Sequence, residues 1–366
     1  MQIDRPWENS RPQNPGKQSA HGISGCTPVF FWMLPSRMFP ALLVVGIAIL
    51  ALAALKHGAV EKPWNDIIAA LFSGSDEDLR YYILQLRMPK VAAALAVGAA
   101  LAVAGVILQN VLNNPLASSF TLGLSQGAAF GASFSMILLA SVGSVWGLGI
   151  VTLGALAGAL SAALLILGFT LVRGMSSQGL ILAGVALATF FSAATMALQY
   201  FASDSQVAAT VYWTFGDLSK GGWREALLVS GVSLSGLLLA VRHSLDYDAL
   251  RWGDAQAQAL GVSVRRLRMI SLFSASLMAA AATAFYGVIG FVGLVAPHMV
   301  RLLFPHAGHC YLTCVSALFG GFFLLAADLA AQSIMYPTLL PIGIICAFAG
   351  VPVFLFLLLR GAARHA

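Results

Sequence analysis

Residues 87–132 read RMPKVAAALAVGAALAVAGVILQNVLNNPLASSFTLGLSQGAAFGA. After Lys90 the stretch holds no charged side chain. Its first run, about 90–112, is long enough as a helix to cross the ~30 Å hydrocarbon core of a bilayer. Backbone N–H and C=O groups cannot stay unpaired in lipid, so a helix is the state such a run must take. Asn113-Asn114-Pro115-Leu116 interrupts it, because proline removes a donor and stops or kinks a helix. A second apolar run follows at 118–140.

The pattern extends in both directions. Runs at 38–56, 147–172, 178–201, 224–241, 268–286, 290–305, 313–332 and 339–360 bring the total to ten, the run at 290–305 being the shortest. The expected fold is therefore all-α: a polytopic membrane protein with ten transmembrane helices in a compact bundle. Composition agrees, with 59% hydrophobic and 9% charged residues against about 45–50% and about 25% in soluble domains. A soluble fold so poor in charge would expose large apolar patches.

An even number of spans puts both termini on one side, and the bias of Lys and Arg toward cytoplasmic loops selects which. With both termini cytoplasmic, the inner segments hold 13 of the 20 Lys and Arg, including Arg173, Arg251, Arg265, Arg266, Arg268 and Arg360; Asp76, Glu77 and Asp78 fall outside. Residues 1–35 are polar and without periodicity, and read as a disordered cytoplasmic tail ahead of a transmembrane domain at 36–366. The net charge of +6 is scattered between apolar runs and forms no nucleic-acid stripe.

Small residues recur at four-residue spacing, Gly123, Gly127 and Gly131 in one run and Gly154 and Gly158 in the next. Such spacing lets helices approach backbone to backbone; a glycine-lined permeation path is the alternative. Cys310 and Cys314, near His306 and His309, are spaced for one helical turn but lack the second ligand pair of a structural zinc site. They are read as small apolar residues, and no metal site is expected.

Three polar interruptions invite function. Arg87-Met88-Pro89-Lys90 places two cations at an outer helix mouth, either snorkelling or forming a basic patch for an acidic partner. The stretch LDYDALRWGDAQAQALGVSVRRLR, 245–268, is the longest inner connection and reads as two short helices broken at Gly261, with Trp252 and Leu260 as anchors. It either lies on lipid headgroups or receives a partner. Asn114-Pro115 and Pro297-His298 mark helix ends. His298 and Asp328 are ionisable groups within apolar runs, read either as functional or as packed and hydrogen-bonded. No Gly-x4-Gly-Lys-Ser/Thr loop occurs, so ATP would have to be bound by another chain. No catalytic constellation is present either, and the chain is not read as an enzyme.

Four blocks in order resemble the FecCD-type permeases, the membrane subunits of type II ABC importers for ferric siderophores, haem and vitamin B12. They are 87–132, ALGVSVRRLR at 259–268, GVIGFVGLVAPHMVRLL at 287–303, and LLAADLAAQ at 324–332 with LPIGIICAFAGVPVFLFLLLR at 340–360. The resemblance implies a homodimer in the bacterial or archaeal cytoplasmic (inner) membrane, seated on two ATP-binding subunits. ATP and Mg²⁺ would lie on those subunits, with no cofactor on this chain, and a substrate-binding protein would deliver a metal chelate. It assigns Leu250, Trp252, Gly253, Ala257, Leu260, Gly261 and Val262 to ATPase coupling, and Arg87 and Lys90 to docking of the binding protein. Asn114, Pro115, Pro297, His298, Asp328, Pro341 and Gly343 belong to its structural motifs. Phe190, Met196 and Gln199, in the fifth run, are candidates to line the path. The chain departs from the family at Lys90, at Gln332 and at Leu339, where arginine, arginine and glutamate are often found. A rival reading is a secondary transporter driven by an ion gradient, which would favour paired intramembrane charges or broken half-helices.

Overall fold

The computed structural model describes residues 38–57, 63–72, 76–139, 147–172, 176–335 and 338–362, with side chains from 149 in the fourth of these stretches and to 356 in the last. The expected tail at 1–35, Arg173 and the side chain of Arg360 lie outside them.

Every element among the described residues is helical. α1 (Met38–Lys56) is followed by two short helices, α2 (Trp64–Phe72) and α3 (Glu77–Tyr81); α3 runs through a widened turn at Tyr82–Arg87 into α4 (Met88–Val111). Next come α5 (Leu124–Phe134), α6 (Gly147–Leu171), α7 (Ser177–Tyr200), the short α8 (Asp204–Thr214) and α9 (Trp223–Arg242). After α10 (Ser244–Leu250) and α11 (Asp254–Ala259) the chain returns through α12 (Val264–Tyr286), α13 (Val292–Leu303), α14 (His309–Ser333) and α15 (Ile342–Ala362). Among the described residues seven helices are long and apolar enough to cross a membrane. Three of the ten expected runs form shorter apolar helices, Leu124–Leu139, Val292–Leu303 and Ile342–Phe356.

Burial divides the bundle into an inside and a rim. The most apolar stretch of the α3–α4 rod is 78% buried and that of α12 is 72%, against 17% for α1 and for α7. α4 achieves this by being small: Ala93, Ala94, Ala100, Ala102 and Ala104 are all inside, so neighbouring helices come close on every side. At Gly105 a Cβ would stand 1.9 Å from the carbonyl oxygen of Gly293 in α13. The four-residue glycine pattern does the same for α5 and α6, where a Cβ at Gly131 would lie 2.0 Å from Gly154 O and one at Gly158 2.1 Å from Gly127 O. In lipid, where apolar surface gives no net drive for helices to associate, this close packing supplies the attraction.

α4 and α14 lie antiparallel across the middle of the bundle, with Gly98 and Gly320 in backbone contact between them. Their two ends carry most of the polar chemistry.

Candidate functional site

One end of the bundle carries residues 244–263. Two short helices form here as expected, but they are broken at Trp252-Gly253, and Gly261 separates the second from α12. Both glycines need the left-handed region, with φ of 104° and 87°, which a side chain rarely tolerates. Ala257 N–H and Val262 N–H are bonded to Gly253 O and Ala257 O, each at 3.0 Å, and these bonds shape α11 and its exit.

The sequence-assigned coupling residues divide into two groups. Leu250 and Ala257 are buried and tie the segment to the bundle, together with Tyr247, which the sequence reading did not single out. Trp252 and Leu260, expected as anchors, instead face outward with 78% and 70% exposure, as does Leu245 at 81%. The segment is thus held by one face and presents three large apolar side chains on the other.

Its attachment is polar. Tyr247 donates or accepts at 2.6 Å with Ser271 of α12, and its ring stacks at 4.2 Å on the imidazole of His309. Burial pushes the Tyr247 hydroxyl up to about 12, so it stays neutral. The Asp248 carboxylate accepts the backbone N–H of His309 at 3.0 and 3.2 Å. Arg268 donates to Asp254 at 3.0 Å and to Val111 O, at the end of α4, at 3.3 Å. Within the bundle Arg301 donates to Gln109 at 2.7 Å, and Asn110 is hydrogen-bonded to His309. His309, set beside cysteines in the sequence, is turned inward with 1% exposure, while Cys310 is exposed.

Asn114, Pro115 and their neighbours make the turn out of α4: Asn113 takes φ 45°, and Leu116 N–H is bonded to the Asn114 side chain at 2.8 Å. Pro297 is buried within α13, and His298 is half-buried on the same helix.

At the opposite end the expected basic patch has a different form. Arg87 is 6% exposed, donates to the carbonyls of Leu55 and Lys56 and lies 4.7 Å over the Tyr82 ring. Lys90 forms an ion pair with Asp328 at 3.0 Å. The other Asp328 oxygen accepts from Gln332 at 2.6 Å, so the glutamine at the family's arginine position turns back onto the aspartate. Neither cation therefore projects freely: the peptide carbonyls and the Asp328 carboxylate repay the cost of burying them. Beside this pair a cavity of about 250 Å³ is lined by Asp217, Lys220, Leu339 and Pro341 among others. Burial lowers the Lys220 ammonium pKa despite the neighbouring Asp217. Gly343 N–H is bonded to Phe215 O at 3.2 Å, where a Cβ would stand 2.5 Å from that oxygen.

Of the proposed path residues, Phe190 and Met196 are 62% and 61% exposed on α7. Gln199 is instead half-buried and donates to Thr210 of α8 at 2.9 Å.

Known proteins share this architecture. An ABC transporter permease protein of Methanocaldococcus jannaschii is 40% identical over 330 residues, 88% of this chain and 94% of that one. The hemin transport system permease protein HmuU of Yersinia pestis is 34% identical over 88% of this chain and 96% of its own length. A solved structure described as an inward-facing, metal-chelate type ABC transporter superposes with a TM-score of 0.77 at 27% identity, covering 88% of this chain and 99% of that one. With the family model matched across residues 45–360, most of the polypeptide, this chain belongs to the FecCD transport family.

Proposed function

We propose that this permease works as a homodimer, in which two copies enclose a path for a metal chelate and each receives one ATP-binding subunit on residues 244–263. The observation that carries the reading is the anchored segment with Leu245, Trp252 and Leu260 turned outward. A membrane bundle gains nothing by holding an ordered apolar surface in water unless a partner covers it. The ten apolar runs then count as ten spans, with the short helices α5, α13 and α15 completing the seven long ones, and both termini lie on the cytoplasmic side with the coupling segment. ATP and Mg²⁺ are held by the partner. The exposed face of α7, with Phe190 and Met196, lines the path. A substrate-binding protein docks at the opposite end, near Arg87 and Lys90. The names of relatives support haem, vitamin B12 or a ferric siderophore as cargo: HmuU is a hemin permease, and BtuC of Photorhabdus laumondii, 35% identical, is a vitamin B12 permease.

The test is recovery of companions with the tagged chain from its native membrane. A Walker-motif ATPase in equal amount is expected, reduced at least fivefold by Trp252→Ala or Gly261→Asp at unchanged permease yield. A chain that comes out alone, and that transports in ATP-free vesicles under an ion gradient, would sink the reading.

A further inference from the structure

The segment at 244–263 has to pass its movement to the membrane helices through particular atoms, and the structure narrows these to a few. α10 touches the bundle through Tyr247, Asp248 and Leu250. Tyr247 and Leu250 are buried, and Asp248 is the one carboxylate of the three. Asp248 stands at the first turn of α14, where unpaired backbone N–H groups and the helix dipole favour an anion. Both its oxygens reach the His309 N–H. Arg251, one turn on, lies 3.7 Å from the same carboxylate and donates to Ala307 O at 3.4 Å. The cap therefore ties α10 to α14 and to the turn before it.

From His309 the contacts divide. Its imidazole stacks under Tyr247 and is hydrogen-bonded through Nδ1 to the Asn110 amide on α4. The other ring nitrogen, Nε2, is buried and meets no partner among the described residues. One residue before Asn110, Gln109 accepts from Arg301 of α13 and donates to Gly293 O at 3.2 Å. Three helices of the bundle, α4, α13 and α14, are thus gathered by one imidazole and two amides immediately above α10.

Resting on the reading of 244–263 as the ATPase-docking segment, we propose that Asp248, His309 and Asn110 form the joint that passes displacement of α10 to α14 and α4. Asp248 and His309 act as positioning residues for the change of access. Coupling over distance requires a contiguous set of contacts that can occupy two arrangements. A carboxylate whose two oxygens share one helix-end N–H and a stacked ring pair can shift by an ångström without unfolding, whereas the glycine-to-backbone contacts of α4 cannot.

The experiment uses the permease with its ATPase in lipid nanodiscs, comparing amide hydrogen exchange without nucleotide and with ATP plus vanadate. In the parent complex, exchange is expected to change at 244–263, at 309–320 and at 104–112. Asp248→Ala should keep the change at 244–263 but reduce that at 309–320 at least fivefold. Asp248→Asn, whose side-chain oxygen still accepts the cap bond, should restore it. Asn110→Ala should abolish the response at 104–112 alone, and serves as the reading if Asp248→Ala does not assemble. A purely structural role would lower stability without confining the nucleotide response in this way. Parent-like responses at 309–320 in Asp248→Ala and at 104–112 in Asn110→Ala would overturn the joint and leave the docking reading standing. A parent with no response at 244–263 would overturn both.

Discussion

The two ends of the α4–α14 pair are held by different chemistry. Away from residues 244–263 the clamp is ionic and closed on itself: Lys90, Asp328 and Gln332 satisfy one another between two helices. At the end next to residues 244–263 the clamp is an imidazole with two amides, and its contacts continue outward through Tyr247 and Asp248 into α10. Between them, glycine contacts hold the helices at backbone distance. An ion pair in a low-dielectric setting has one deep minimum, and separating it leaves uncompensated charge. Hydrogen bonds with at most one charged partner, such as Arg301 on Gln109 and Asp248 on the His309 N–H, and a ring stack can rearrange at about 1–3 kcal/mol each. With the proposed docking on residues 244–263, the bundle is fixed at one end and worked from the other.

Three substitutions would break or sharpen that contrast. Gly105→Leu attacks the body of α4 between those ends, where its backbone meets that of Gly293 in α13 and nothing flexible can give way. It should cost more than about 3 kcal/mol of unfolding free energy in detergent and lower the yield of folded protein; a variant as stable as the parent would mean that α4 and α13 are not in contact. Asp328→Ala leaves Lys90 without its anion. Because Lys90 keeps some access to water, the expected loss is about 2–3 kcal/mol rather than the 3–5 of a fully buried pair. The pair Lys90→Met with Asp328→Leu should recover most of it, and no recovery would show that the contact is not what stabilises this end. Tyr247→Phe, in α10, forfeits the bond to the buried Ser271 and should cost only about 1 kcal/mol. It also carries a pH signature. The hydroxyl is raised from 10.0 to about 12 in the folded chain, so its contribution is complete below pH 10 and is lost as the pH climbs toward 12. The parent should therefore destabilise more steeply than the phenylalanine variant across that window, and parallel profiles would place Tyr247 in water.

Much of the site was visible in the residue order, but not its partnerships. The segment at 245–268 stood out as a polar, amphipathic stretch between long apolar runs, suited to lipid headgroups or to a partner, and its two short helices were expected. Which side chains face inward was not, because a period read over six or seven residues does not say which face meets the bundle. Trp252 looked like an anchor and is exposed; Tyr247 was passed over and is buried. The basic pair at Arg87 and Lys90 was noticed for its charge, yet the carbonyls and carboxylate that absorb that charge come from Leu55, Lys56 and Asp328. Gln109 and Asn110 carried a signal that went unused, two amides closing an otherwise apolar run. His309 drew attention for its neighbouring cysteines, although its partner lies 199 positions earlier in the chain.

By itself the amino-acid order determined that this is an all-helical membrane protein and to which family it belongs. Lipid forbids unpaired backbone, and long uncharged runs leave helix as the only solution. The paired glycine spacings already marked which faces approach. Only the tertiary structure decided which helices are interior, that carbonyls and a carboxylate hold the cations at one end, and that a histidine and a carboxylate join residues 244–263 to the bundle. Those facts depend on contacts between residues far apart in sequence, and local composition and periodicity carry no record of which distant side chain will arrive.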